Sequence, residues 1–275
     1  MRLFKRQPAP MSPATPPAAG HSAWGRDLLE RAARRAAAIS ENRERTPAQT
    51  QAVLADLGKA AEILHDARDP EEARAFYLLA SRLRYEKDQG KRTLALFDRS
   101  LTLDPSSTDA WMEYLNYVTY IPAPDQLVAD YHRMLSPARN ACLSLLMGVA
   151  RGCDRWGNLP EVDREPFLAA MRSAVEAVGD PVDVALWFGE LGLREEKNGS
   201  VEQALKWMLR AASTGHARPE VADRLSILLL KSESGDAIAQ AQAVIDDALS
   251  KPIQSATLRD RLAKRKVRCA KILAS

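Results

Sequence analysis

Residues 76–120 read FYLLASRLRYEKDQGKRTLALFDRSLTLDPSSTDAWMEYLNYVTY, and this stretch decides the fold. Two amphipathic helical segments run to a stop at Asp104-Pro105, and a third helix then opens around Trp111. Tyr77 to Trp111 is a step of 34 residues, and Phe97 to Tyr131 is another step of 34. That is the period of a helix-turn-helix repeat. A repeat of this size cannot bury its own apolar face and must stack on its neighbours. The pattern predicts an all-α superhelical array of antiparallel helix hairpins, and it points to a binding scaffold rather than a catalyst.

Working outward, helix starts recur at short intervals. Thr46-Pro47-Ala48-Gln49 is a capping box with proline at the first helical position, opening a helix to about Ala67. Asp69-Pro70-Glu71-Glu72 repeats the signal for a helix expected to end near Gly90. Asp180-Pro181 and the box Ser200-Val201-Glu202-Gln203 give two more. The first helix is expected over about 24–39, with Trp24, Leu28, Ala32 and Ile39 on one side. The longest irregular stretch is Cys153 to Glu165. About thirteen helices joined by short connections result, as helix-hairpin stacking requires.

With 46% hydrophobic and 27% charged residues the chain can bury a core. The apolar runs at 141–150 and 225–230 are too short to span a bilayer. Dividing the charge is more informative than summing it. Residues 1–22 carry three basic residues and no acid, and residues 251–275 carry eight against Asp260 alone, so the body between them is acidic. The expected organisation is a disordered basic Pro/Ala-rich tail at 1–22, a helical-repeat array at 23–250, and a basic amphipathic capping helix at 251–275. The N-terminus lacks the apolar core of a secretory signal, and the expected address is cytoplasmic; a transit-peptide reading stays open because no acid precedes Asp27.

Thr93, Phe97, Ser100 and Pro105, then Trp111, Tyr114-Leu115 and Val118, then Phe188, Leu191-Gly192, Ala204, Met208 and Ala211, place small and large residues in a recurring order. In this the chain resembles tetratricopeptide repeats, and ALKWMLRAASTGHA (204–217) is similar to the related Sel-like repeats. The register Phe97, Tyr131, Met171, Met208 steps by 34, 40 and 37 residues, so the period drifts. The resemblance implies a tetratricopeptide-like solenoid whose first helices line a concave surface. That surface would carry Arg82, Tyr85, Met112, Asn116, Tyr120, Glu196 and Lys197. No carboxylate-clamp signature is recognisable in it.

The chain has no P-loop, GxGxxG, HExxH or GxSxG motif. His21, His65, His132 and His216 are scattered, and Cys142, Cys153 and Cys269 form no CxxC pair, which suits buried thiols better than a zinc site. The acidic residues Asp69, Glu71, Glu72, Asp180 and Asp183 sit at helix starts, where capping accounts for them. Trp207 reads as packing, whereas Trp156, in the irregular stretch, is a candidate partner anchor. On the last helix Leu258, Leu262, Cys269 and Leu273 form one face and Arg261, Lys264, Arg268 and Lys271 the next. That basic face is either a solvated side of the cap or a contact for nucleic acid or an anionic membrane.

The expectation is therefore a non-catalytic adaptor that holds a segment of one or more partner proteins in its groove, without metal, cofactor or small-molecule substrate. The alternatives are an accessory subunit using its basic ends, and a structural subunit of a larger assembly. Stacking makes a direct prediction: Trp111→Ala removes a large inter-helix side chain and costs about 3–5 kcal/mol in a thermal or urea melt, and an unchanged melt would sink the stacking fold.

Overall fold

The computed structural model describes residues 19–41, 46–118, 123–151, 163–232 and 234–274. Residues 1–18 of the expected N-terminal tail and most of the irregular stretch before Glu165 lie outside them, while residues 19–22 of that tail fall in a helix. The described residues form thirteen helices and no strand, so the fold is all-α. They divide into two compact units, Met1–Pro105 and Ser106–Ser275.

The first unit holds α1 (Ala19–Glu41), α2 (Pro47–Asp66), α3 (Glu72–Leu83) and α4 (Gly90–Leu103). α1 pairs with α2 and α3 with α4, and α2 packs against α3. The capping box of α2 forms as expected. The Thr46 hydroxyl accepts from the Gln49 N–H at 3.3 Å, and Gln49 Oε1 accepts from the Thr46 N–H at 3.0 Å. Leu29, Leu57, Leu64, Ala75 and Leu79 meet in the core, where each fully buried leucine contributes about 1.5–3 kcal/mol.

Three details differ from the sequence reading. α1 begins at Ala19 rather than near Trp24, and Trp24 is 43% exposed, with the Lys59 ammonium 5.0 Å from its ring centroid. Gly25 faces inward instead. A Cβ there would lie 2.9 Å from Ile63 Cγ2, so a hydrogen at this position lets α1 close on α2. α3 stops at Leu83, its last buried residue, and the charged residues 84–89 turn back toward α4 with Asp88 at φ 60°. Asp69 does more than cap. Its Oδ1 accepts from the Glu71 N–H at 2.9 Å, while Oδ2 accepts from the Ser22 hydroxyl and faces Arg26 at 3.6 Å. Burial alone would raise this carboxyl; the Ser22 and Glu71 hydrogen bonds and Arg26 outweigh it and hold the carboxyl below its ordinary range.

The second unit holds α5 (Thr108–Tyr117), α6 (Pro124–Arg133), α7 (Ala138–Ala150), α8 (Glu165–Val178), α9 (Pro181–Lys197), α10 (Val201–Ala212), α11 (Pro219–Leu230), α12 (Gly235–Leu249) and α13 (Ala256–Leu273). The odd-numbered helices pack in succession, α5 on α7, α7 on α9, α9 on α11 and α11 on α13. The even-numbered α6 packs on α8, α10 closes on α9, and α12 on α11. Trp111 is fully buried, as are Phe97, Tyr131, Met171 and Met208, the drifting register noted in the sequence, on four even-numbered helices across the two units.

Helix starts in this unit follow the sequence with one exception. Asp180 Oδ1 caps α9 by accepting from the Val182 and Asp183 N–H groups, and Ser107 and Ser255 cap α5 and α13. Ser200 does not cap α10: the chain arrives from a tight turn at Gly199 (φ 83°), with Ser200 at ψ 71°, and the Ser200 N–H donates to the Glu195 carbonyl.

The tightest approach is between α9 and α10. A Cβ on Gly192 would lie 2.5 Å from Met208 Cγ and 3.2 Å from the Ala204 carbonyl oxygen, whereas one on Gly58, inside α2, would meet nothing within 4 Å. The same substitution should therefore change sign with position. Gly192→Ala overpacks and costs about 1–3 kcal/mol, while Gly58→Ala gains helix propensity of about 0.5–1 kcal/mol. Urea denaturation of both variants checks this, and a stabilised Gly192→Ala would remove the close approach from the account.

Candidate interaction surfaces

A concavity in the first unit borders the turn after α3. A cleft of about 260 Å³ has Ala36 and Ile39 of α1 and Val53 and Leu54 of α2 as its floor, and Thr50, Gln51, Arg82, Tyr85 and Glu86 around its mouth. A second, more open hollow of about 700 Å³ shares Gln51, Leu54, Tyr85 and Glu86 with it and continues over Leu79 and Leu83 to Lys87, Gln89 and Arg92. Tyr85 stands between them, 60% exposed. The Arg84 guanidinium lies 4.7 Å from its ring centroid and donates to its hydroxyl at 2.6 Å, which fixes the ring upright. Gln51 Nε2 donates to Glu86 Oε2 at 3.3 Å across the mouth. Arg82 and Tyr85, two of the sequence candidates, thus line one cleft, at the end of the unit where α1 and α3 finish and α2 and α4 start.

The other candidates lie in the second unit or outside the described residues. Met112 is exposed on α5, and the Asn116 side chain donates to the Met112 carbonyl at 2.7 Å. Glu196 is engaged: Arg224 of α11 binds both its carboxylate oxygens, so it ties α9 to α11, while its neighbour Lys197 is exposed. Tyr120 and Trp156 lie outside the described residues. Trp207 packs on Phe188, with ring centroids 5.3 Å apart.

The basic face of α13 splits by role. Arg261 pairs with the buried Asp223 of α11 at 3.3 Å, and Arg265 pairs with the same carboxylate at 2.5 Å and donates to the Asp223 carbonyl. These contacts, with buried Leu258, Leu262 and Cys269, fasten the helix. Leu273, expected on the inner face, is exposed. Lys264, Arg268 and Lys271 are exposed, and Val267, 55% exposed, lies among them.

Other titratable groups are occupied structurally. Burial pushes the Cys142 thiol up to about 11 and raises Cys269 as well, which leaves both protonated and unreactive at neutral pH. His65 Nδ1 lies 2.7 Å from Glu72 Oε1, with Arg99 against the ring; the nearby Ser100 and Thr102 hydroxyls both donate to backbone carbonyls. Among the described residues no group of three or more His, Cys, Asp or Glu side chains could hold a metal ion, and no helix is long and apolar enough to cross a membrane.

Asp183, read from the sequence as a capping residue, is instead fully buried, because its place in the first turn of α9 faces α6 and α7. Its Oδ2 accepts from the Tyr131 hydroxyl at 2.8 Å and from Arg139 Nε at 2.5 Å. Only its spacing from the true cap, Asp180, could have signalled this: three residues on along a helix turns a side chain from the terminus to the face above it. No protein-family model matches the chain, and no curated protein is similar to it in sequence.

Burial pushes the Asp183 carboxyl up, and the Tyr131 hydroxyl and Arg139 pull it back only in part. A folded-state value above the unfolded one means stability that is fully present at acid pH and lost as pH rises through the folded value. Arg139→Met removes the counter-charge and moves that value higher still. The variant should lose about 3–5 kcal/mol near pH 8 and clearly less near pH 4.5, because acid favours the uncharged carboxyl. Urea melts at the two pH values decide it; equal losses would mean that Arg139 acts by packing alone.

Proposed function

We propose that the chain is a non-catalytic protein–protein interaction scaffold. On this reading it is a tetratricopeptide-like superhelical array of hairpins, with α13 as its C-terminal cap, and it holds a segment of a partner protein. The observation that carries the reading is the cleft around Tyr85. It combines a preformed apolar floor, a large exposed aromatic held by its neighbour, and polar groups at the mouth, the arrangement of a pocket that anchors a side chain. The period of the hairpins and the buried register from Phe97 to Met208 support the array. The thiols, hydroxyls and histidine described above are engaged in packing or hydrogen bonds, which favours binding over chemistry.

A second reading rests on a separate observation. Lys264, Arg268 and Lys271 project from a helix already fastened by Arg261 and Arg265, so their charge is available to an anionic surface, nucleic acid or membrane. Deleting the helix would also unpack Leu258 and Leu262, so charge reversal is the cleaner probe of this face.

Affinity purification of the full chain from its native cells, with quantitative identification of bound protein and nucleic acid, separates the readings. Tyr85→Ala should deplete a defined set of proteins by about tenfold or more with the melting temperature unchanged, as expected for loss of an interface anchor. Lys264→Glu/Arg268→Glu/Lys271→Glu should leave that set in place. Depletion by the charge reversal alone would transfer the function to α13.

A further inference from the structure

We infer that the Tyr85 cleft accepts an acidic amphipathic peptide segment, with a bulky apolar side chain entering between α1 and α2 and carboxylates lying over the start of α4. This rests on the scaffold reading and names the partner class of the same site. The cleft, at about 260 Å³, exceeds the roughly 150 Å³ that admits a benzene ring in a protein interior, so it has room for one large apolar group. Its floor of Ile39, Val53 and Leu54 offers that group no polar partner.

The adjoining hollow differs in character. From Arg82 to Arg92 the chain carries five basic residues, Arg82, Arg84, Lys87, Lys91 and Arg92, against Glu86 and Asp88. Lys87 and Arg92 line the hollow, are exposed, and form no ion pair among the described residues. Glu86, the acid at the mouth, is turned toward Gln51. α4 begins here at Gly90 with no side-chain cap on its first N–H groups, so the positive end of its dipole adds to the field of the two cations. Lys87 and Arg92 with the start of α4 give this side of the hollow a local excess of positive charge, which selects for a negative partner. Apolar floor and cationic rim lie side by side, which demands that the ligand carry both features within a few residues of each other.

A selection of random twelve-residue peptides displayed on phage, against the immobilised full chain, tests this without presupposing a sequence. The expected outcome is enrichment of peptides carrying clustered Asp or Glu beside one or two bulky apolar residues. By fluorescence anisotropy those peptides should bind Tyr85→Ala and Lys87→Glu/Arg92→Glu at least about tenfold more weakly than the wild type, and tightness should fall with added salt. Both positions of the charge reversal are exposed, so circular dichroism should show the fold intact. Enriched peptides that depend on Tyr85 but have no acidic excess, or that tolerate the charge reversal, would overturn the acidic class and leave the scaffold reading standing. No enrichment, or peptides indifferent to every variant, would overturn both.

Discussion

Every helix in this protein depends on a neighbour for burial, and the separation between paired helices sets what else can be built. Where α9 meets α10, Gly192 lets the backbones approach until Met208 covers the glycine, and Ala204 and Ala211 keep the facing surface low. Where α3 meets α4, buried Thr93 and Ser100 serve the same purpose, and Ser100 satisfies its hydroxyl by donating to the Ala73 carbonyl at 2.8 Å. Large side chains then fill the spaces left between pairs. A chain with few aromatics can build an extended core this way because close backbone approach supplies packing density that side-chain volume would otherwise have to provide.

Three of the four aspartates buried among the described residues add specificity to this packing. Asp69 holds the start of α3 to Ser22 and Arg26 of α1, Asp183 holds α9 to Tyr131 of α6 and Arg139 of α7, and Asp223 holds α11 to Arg261 and Arg265 of α13. Each links helices far apart in sequence, and each costs desolvation that apolar packing would not. Packed helices face a register problem, because leucine and alanine faces fit one another in several alignments. A buried carboxylate with one set of partners penalises every other alignment.

Most helix starts and the burial of Phe97, Tyr131, Met171 and Met208 were legible because a Thr-Pro-Ala-Gln box or an Asp-Pro start acts within one turn, and the four buried positions follow from spacing alone. The misread features depend on rotation about a helix axis or on distant partners. Trp24 looked like a core residue because the sequence does not show that Gly25 faces α2, a preference set by how closely two backbones can pass. Asp183 looked like a cap because Asp180 and Asp183 share a helix start; Arg139 of α7 reaches both, and burial against Tyr131 of α6 is what sets Asp183 apart. Arg261 looked like its basic neighbours until Asp223 was placed beneath it.

The same distinction explains why the Tyr85 cleft was half visible. The charges of the turn after α3 can be counted in the chain, and an aromatic among them invites a binding role. The apolar floor cannot be counted, since Ile39, Val53 and Leu54 come from helices whose neighbours would normally cover them. Val53 and Leu54 are themselves buried and only edge the cleft, close to the turn where α3 ends at Leu83. Had the helix continued to Gly90, as its composition allowed, its next turn would have extended alongside these residues. Residues 84–89 carry no large apolar side chain except the ring of Tyr85, and α3 ends before them. The turn that bounds the cleft also supplies Lys87 to the adjoining hollow, while Arg92 comes from α4.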